Sequence, residues 1–315
     1  MTAFYLKYRL QFFITLILIA LLGLFIGLAP ATFLSPRIYI AYMSTIPFTA
    51  MMALGMTPVI ISGEIDLSFP AVMAAGGFVF SGLYLETASV GIALAAALFA
   101  GMTAGLINGL IVVKIGVPSI IATIGTQFFW RGATVLSSGG LAKSMEDIRE
   151  IPFYEILVGR ISGVVPAQAV WTIIIALVLW LLLNRYPFGD NIRFTGDNQD
   201  AAKAMGIHTD RTRVSVFCLI GFLSSLTGVF LCMEMASWWP TQGEGYMLLV
   251  FASVFIGGTS VFGGKGTVYG SFIGVVIIGI IEAGIISSGI SGLWTRMVYG
   301  IVIIIAVSIY AFLQK

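Results

Sequence analysis

Ten apolar runs, most of them near the length that crosses a bilayer, follow one another along this chain. They lie at about 10–29, 38–61, 70–86, 88–113, 117–138, 167–184, 213–236, 247–262, 267–289 and 294–313, the third and eighth being short. A hydrocarbon core about 30 Å thick takes a helix of about 20 residues. With no water to satisfy backbone N–H and C=O groups, a spanning segment is either a helix or part of a closed barrel, and runs of this length select the helix. The expected fold is an all-α polytopic membrane protein of about ten transmembrane helices. Composition leaves no other solvent: 59% of the 315 residues are hydrophobic and 10% are charged, against roughly 45–50% and 25% in a soluble domain. No region has soluble composition, so residues 1–315 are read as a single transmembrane domain.

Lys7 and Arg9 precede the first run, and Ala29-Pro30-Ala31 resembles a small-residue cleavage site. A signal-peptide core is about 7–15 residues, and this run is longer, so an uncleaved first span is expected. Orientation follows from basic residues beside the spans. With a cytoplasmic N-terminus, the inside segments hold Lys7, Arg9, Lys114, Arg185, Arg193, Lys203, Arg211, Arg213, Lys265 and Lys315, and the outside segments hold Arg37, Lys143, Arg149, Arg160 and Arg296. That is a bias of about two to one toward the cytoplasm, with both termini inside. A net charge of +2 and the lack of a basic patch argue against nucleic-acid binding. One histidine, His208, excludes a multi-histidine metal site, and Cys218 and Cys232 read as free thiols.

The stretch SGEIDLSFPA, Ser62 to Ala71, interrupts two apolar runs with two carboxylates and a proline. The charge bias places Glu64 and Asp66 near the cytoplasmic end of the second span. Non-helical backbone at that depth is tolerated where protein buries it or it lines a cavity, and broken helices often mark transport paths. Ser68 is the expected cap of the next helix. Pro70 suits its first turn, where a missing N–H does no harm. Gly63, Glu64, Asp66 and Ser68 are therefore candidates for a translocation path or a structural corner. Ser44, Thr45, Thr49, Asn108 and Gln127 are further candidates, each equally suited to a helix–helix hydrogen bond.

Gly101, Gly105 and Gly109 fall four apart, as do Gly266, Gly270 and Gly274 at the start of the ninth run. That spacing puts each set on one helix face, where backbones approach closely. Trp238 and Trp239 are expected at the outer interface. Two polar segments remain. The outer, about 139–166, is either a short amphipathic helix around Phe153 and Tyr154 or a solvated loop. The inner, about 185–212, contains GDNQDAAKAMGI. There Asp197 or Asn198 can cap a helix, Asp200 favours its dipole and Gly206 can end it. The two-turn helix between them, with thin alanine faces, is either a docking element or a plain connector. Arg211 and Arg213 are expected near lipid headgroups.

Three stretches give the chain a likeness. Ala53 to Ser68, ALGMTPVIISGEIDLS, resembles the "GMT-V-I-GGIDLS-G" pattern of the membrane subunits of bacterial sugar ABC importers, the ribose, galactose and xylose class. Gly196 to Ile207 is similar to that family's Glu-Ala-Ala loop, with Ala201-Ala202 and Gly206-Ile207 in place. Gly257 to Gly274, GGTSVFGGKGTVYGSFIG, is similar to its "GGTS-GG-G-V-G" stretch, with Lys265 at an often basic position. There are departures. Glu64 stands at the family's second glycine, Phe69-Pro70 replace small residues, and Asp200 stands for glutamate.

The resemblance implies a type II ABC importer-like permease in the bacterial cytoplasmic (inner) membrane. Its partners would be a second permease copy or related chain, cytoplasmic ATPase subunits, and a periplasmic or extracellular solute-binding protein. Residues 185–212 become a cytoplasmic coupling loop, with Asn198, Asp200, Ala201, Ala202, Gly206, Ile207 and Arg211 as its candidate coupling residues, and 139–166 an extracytoplasmic loop. ATP and Mg would sit on the partner ATPases and no cofactor or metal on this chain, which lacks a GxxxxGK[ST] phosphate loop. The implied cargo is a small polar solute, a monosaccharide first. A nucleoside, a vitamin or a signalling sugar stays open. So does an ion-coupled secondary transporter, for which Glu282 and Arg131 are the ionisable residues at membrane depth. An intramembrane enzyme finds no support, because HExxH, GxSxG and paired aspartate-rich motifs are missing.

Overall fold

The computed structural model describes residues 2–313. Lys315 lies outside that range, and the side chains of Lys7 and Arg9 lie outside the description. The helices are α1 (Thr2–Leu28), α2 (Pro30–Phe33), α3 (Pro36–Ile61), α4 (Phe69–Thr87), α5 (Val90–Leu110), α6 (Ser119–Ser138), α7 (Pro152–Leu157), α8 (Ala167–Arg185), α9 (Pro187–Asp197), α10 (Gln199–Ala204), α11 (Thr209–Met235), α12 (Tyr246–Ile256), α13 (Val268–Ser287) and α14 (Thr295–Leu313). Each apolar run of the sequence coincides with one of them. Among the described residues seven are long and apolar enough to cross a membrane: α1, α3, α4, α5 with its π-helical extension to Ile115, α8, α11 and α13. The eighth expected run, 247–262, forms only the 11-residue α12. At about 1.5 Å per residue that helix reaches roughly half of a bilayer core.

Because the solvent is lipid, burial does not separate apolar from polar residues. Phe99, Ile115, Phe128 and Leu136 all point outward. What is central is set by packing. The most apolar windows of α3 and α11 are 83% and 78% buried, that of α1 only 11%. α3 is buried without interruption from Pro47 to Ile61. α11 lies along α5, where Gly101, Gly105 and Gly109 face Ser225, Phe217 and Val214. A Cβ at Gly105 would run into the Phe217 backbone, so the two helices touch main chain to main chain. Gly270 and Gly274 meet the Gly257 and Ser253 carbonyls of α12 in the same way. Gly266 does not belong to that stripe. It precedes the N-cap Thr267 and sits in the loop, against Ile61 and Thr259.

At one end of the bundle, β1 (Lys143–Ser144) pairs antiparallel with β4 (Ser237–Trp238), Lys143 opposite Trp238. Nearby β2 (Arg160–Ile161) pairs with β3 (Val165–Pro166). The 139–166 segment is thus no free loop: α7 is the short helix expected around Phe153 and Tyr154, with Leu157 buried and Phe153 and Ile156 exposed, and two short strand pairs flank it. A 3₁₀ turn at Glu146–Glu150 and α7 are held down by buried Met145, Ile148 and Leu157. Trp171 Nε1 also donates to the Ile156 carbonyl over 2.9 Å. At the opposite end lie α9 and α10.

Trp238 is not interfacial. It is fully buried, donates from Nε1 to the Ala74 carbonyl at 2.9 Å and leans on Phe78. After it the chain turns back into the bundle. Gln242 Nε2 donates to the Gly228 carbonyl at 2.9 Å, and Gly243 lies against Pro70 at the start of α4. α12 begins there, which is why it is short. Cys218 and Cys232 are free thiols, Cys232 buried.

Candidate transport path and coupling end

α3 stops through its backbone. Gly63 takes φ +84°, a left-handed conformation that costs glycine least. Its N–H reaches the Ile60 carbonyl at 3.0 Å and the Glu64 N–H reaches Val59 at 3.1 Å, the paired bonds that close a helix end. Past this point the exposed donors find side chains of α6. Ile65 N–H donates to Ser119 Oγ at 3.2 Å and Leu67 N–H to Thr123 Oγ1 at 3.0 Å. The break is therefore satisfied inside the protein, as a bilayer requires.

Asp66 organises the restart. It is 1% exposed and accepts from the Ser68 N–H and the Ser68 hydroxyl, both at 2.7 Å, and from Asn108 Nδ2 at 3.3 Å. Asn108 Nδ2 also donates to Ser68 Oγ at 2.7 Å. Ser68 sits at the N-cap position but makes no capping bond with its side chain, because its hydroxyl is committed to Asp66. Burial pushes the Asp66 carboxyl above its ordinary pKa, and the bonds from Ser68 and Asn108 pull it back. Pro70 occupies the first turn of α4. Glu64, 7% exposed, accepts from Arg213 Nε at 2.5 Å. Arg213 thus turns into the protein instead of toward headgroups, while Arg211 is exposed.

Arg131 of α6 is a clamp on backbone. Nη1 donates to the Pro240 carbonyl at 2.5 Å and the Gln242 carbonyl at 2.9 Å, and Nη2 to Pro70 at 3.4 Å. One planar guanidinium ties the returning segment before α12 to the start of α4, using the fork geometry that lysine lacks. Gln127, one turn earlier, is half-buried. Ser44 and Thr45 return their hydroxyls to carbonyls four residues back in α3. Thr49 is buried and Glu282 accepts from Tyr299 Oη at 3.0 Å. Among the described residues no group of three or more His, Cys, Asp or Glu is placed to hold a metal.

At the other end, α9 is a helix the sequence reading missed. It packs through buried Ile192, with Gly189 against Leu183. Asn198 caps α10, its Oδ1 accepting from Ala201 N–H at 3.0 Å, while Asp197 ends α9. Gly206, at φ +83°, closes α10. Its N–H reaches Lys203 at 2.9 Å and the Ile207 N–H reaches Ala202 at 3.0 Å. Ala202 faces the bundle and is fully buried, whereas Asp200, Ala201, Lys203 and Met205 face out.

The decisive geometry is where these pieces meet. Gly196, near the end of α9, lies against the Ile61 carbonyl, Gly63 and Gly263, so that a Cβ there would collide with main chain. Gly264 N–H donates to the Ile61 carbonyl at 2.8 Å. Ile61 and Gly63, Gly196 and Asp197, and Gly263, Gly264 and Gly266, far apart in sequence, form one junction.

Comparison with known proteins identifies the scaffold. The family described as branched-chain amino acid transport system, permease component, matches residues 38–307. The chain belongs to this permease family. The ribose import permease protein RbsC of Bacillus subtilis (strain 168) is 32% identical over 291 residues, 91% of this chain and 90% of that protein. RbsC of Escherichia coli (strain K12) is 32% identical over 297 residues, 92% of each. The L-arabinose transport system permease protein AraH of the same strain is 32% identical over 270 residues, 86% and 81%. No solved structure matches the chain significantly. In this permease the three stretches singled out by resemblance all fall inside the matched region, and they are the three that converge at the glycine junction.

Proposed function

We propose that this permease is the membrane-spanning subunit of an ATP-driven importer that carries a monosaccharide across the bacterial inner membrane. The chain is no enzyme. Separate ATPase subunits hold ATP and Mg, a solute-binding protein delivers the sugar, and a second permease copy or a related chain completes the path. In this reading α6, α12 and α14 join the seven long apolar helices to make ten spanning or partly spanning elements of one domain with a type II importer-like arrangement. The α9–α10 end and both termini are cytoplasmic, and the β1–β4 end receives the binding protein.

The observation that carries the reading is the seat of Gly196. A loop presented to the cytoplasm rests directly on the breaks that end α3 and precede α13. A push on α10, which directly follows α9, would pass through Gly196 to the end of α3 and the loop before α13. The relatives named for ribose and arabinose import support the cargo class. The three carbonyls that accept from Arg131 support a structural role for it over an ion-coupling one.

The test is reconstitution of the permease with its ATPase and binding protein in proteoliposomes, with D-ribose and L-arabinose as probes. Uptake that requires ATP and survives collapse of proton and sodium gradients is expected. Uptake that ignores ATP and follows an ion gradient overturns the reading.

A further inference from the structure

A groove of about 390 Å³ lies between α3, α12 and α13, away from the glycine junction. Its polar lining is Tyr42, Thr45 and Thr49 of α3, Tyr246 of α12 and Glu282 of α13; the rest is aliphatic. Glu282 is exposed in this wall and takes one hydrogen bond among the described residues, from Tyr299 of α14. The Tyr42 hydroxyl is shielded from solvent and has no hydrogen-bond partner among the described residues. A carboxylate turned toward lipid is costly, so ionisable side chains in spans face cavities or partners. This one faces the groove.

The volume falls in the range of small-molecule sites, about 300–1,000 Å³. The chemistry narrows the ligand. The lining has one acid and no base, so it repels anionic solutes such as sugar phosphates. A carboxylate is acceptor-only and suits a donor-rich ligand, while threonine and tyrosine hydroxyls both donate and accept. The tyrosine rings offer flat apolar faces beside these groups. Acceptors, two-way hydroxyls and ring faces together match a neutral ring bearing several hydroxyl groups.

Position gives the site its place in transport. Tyr42 and Glu282 lie in the halves of α3 and α13 remote from the glycine junction. Tyr246 is the first residue of α12, directly after the returning segment that Arg131 holds. The groove therefore lies toward the β1–β4 half of the bundle, with Tyr246 in its wall four residues past Gln242, whose carbonyl Arg131 holds. We propose that it is the permease's own intake subsite for the monosaccharide, with Glu282, Tyr42 and Tyr246 as its recognition groups. This rests on the importer reading above.

The test uses the full reconstituted importer carrying Cys218→Ser and Cys232→Ser. In that background Thr45→Cys is labelled with a membrane-impermeant thiol reagent added on the binding-protein side. D-ribose or L-arabinose is expected to slow labelling several-fold, and choline to leave it unchanged. Glu282→Gln and Tyr246→Phe are expected to lower the sugar moved per ATP hydrolysed by roughly tenfold, with subunits still co-purifying. Labelling that neither sugar slows, or wild-type transport in both variants, overturns the subsite. Protection by choline alone overturns it in favour of a cation site. A wild-type complex that hydrolyses ATP but moves neither sugar sinks the importer reading itself, and the subsite with it.

Discussion

Arg213 Nε donates to Glu64 Oε1 across 2.5 Å, joining the start of α11 to the break between α3 and α4. The two side chains are 15% and 9% exposed, so neither charge has much water to fall back on. Removing one partner leaves the other nearly buried and unpaired, and hydrogen bonds to charged groups are worth about 1.5–3 kcal/mol. Glu64→Gln and Arg213→Gln are each expected to lower the melting temperature of the purified permease. The double variant should lose less than the sum of the two. A thermodynamic cycle with no coupling would reduce the pair to coincidence of placement.

Asp66 is expected to matter more than Glu64. Replacing it by alanine strands the Ser68 N–H and the Ser68 hydroxyl in a buried site and leaves Asn108 Nδ2 with Ser68 alone. Glu64→Gly, the change toward the family pattern, strands Arg213 alone. Asp66→Ala should therefore reduce folded yield and transport further than Glu64→Gly, as read by monodisperse protein after extraction and by sugar uptake. Equal, wild-type behaviour of both variants would leave the corner without energetic weight.

Neighbouring alanines of α10 are expected to separate two functions. Ala202 is fully buried against the bundle, so Ala202→Leu overpacks it at a cost of about 1–3 kcal/mol and lowers the stability of the permease on its own. Ala201 is exposed. Ala201→Leu should leave that stability unchanged and weaken co-purification of the ATPase. Gly206→Val forces a β-branched residue to φ +83°, a strain of about 1–2 kcal/mol, and should impair transport while insertion persists. ATPase binding that is the same for Ala201→Leu as for wild type would remove the outward face of α10 from the docking surface.

Gly196→Ala places a methyl group against the Ile61 carbonyl. Either α9 lifts or the α3 terminus moves. The expected result is a folded, membrane-inserted permease whose partner ATPase still hydrolyses ATP but no longer drives uptake. Tightly coupled uptake in this variant would show that the junction does not transmit motion.

Arg131→Lys keeps the charge and loses the fork. A single ammonium cannot span the Pro240, Gln242 and Pro70 carbonyls that the guanidinium holds. Stability and transport are both expected to fall, at every external pH alike. A variant that transports normally but acquires a new dependence on the proton gradient would restore Arg131 as an ion-coupling residue.

What the sequence determined was local. Apolar runs located the helices because a lipid solvent demands long uninterrupted apolar stretches. Pro70 in the first turn of α4, Asn198 as a cap and Gly206 beyond α10 were legible because each acts on backbone within a few residues. α9 was missed because its short sequence is polar and finds its helical face only by packing Ile192 against the bundle.

The tertiary structure decided everything that needed a distant partner. Glu64 read as an unexplained extra carboxylate until Arg213, 149 residues away, was seen beside it. Arg131 read as a candidate for ion coupling until three carbonyls from two other segments closed around it. Ser68 read as a helix cap until Asp66 and Asn108 claimed its hydroxyl. α12 read as a short span of unexplained length until the segment before it proved to turn back to Pro70. Inside a membrane each buried polar group must find a protein partner, since lipid offers none. Which partner it finds depends on how helices pack, and no local pattern of residues encodes that.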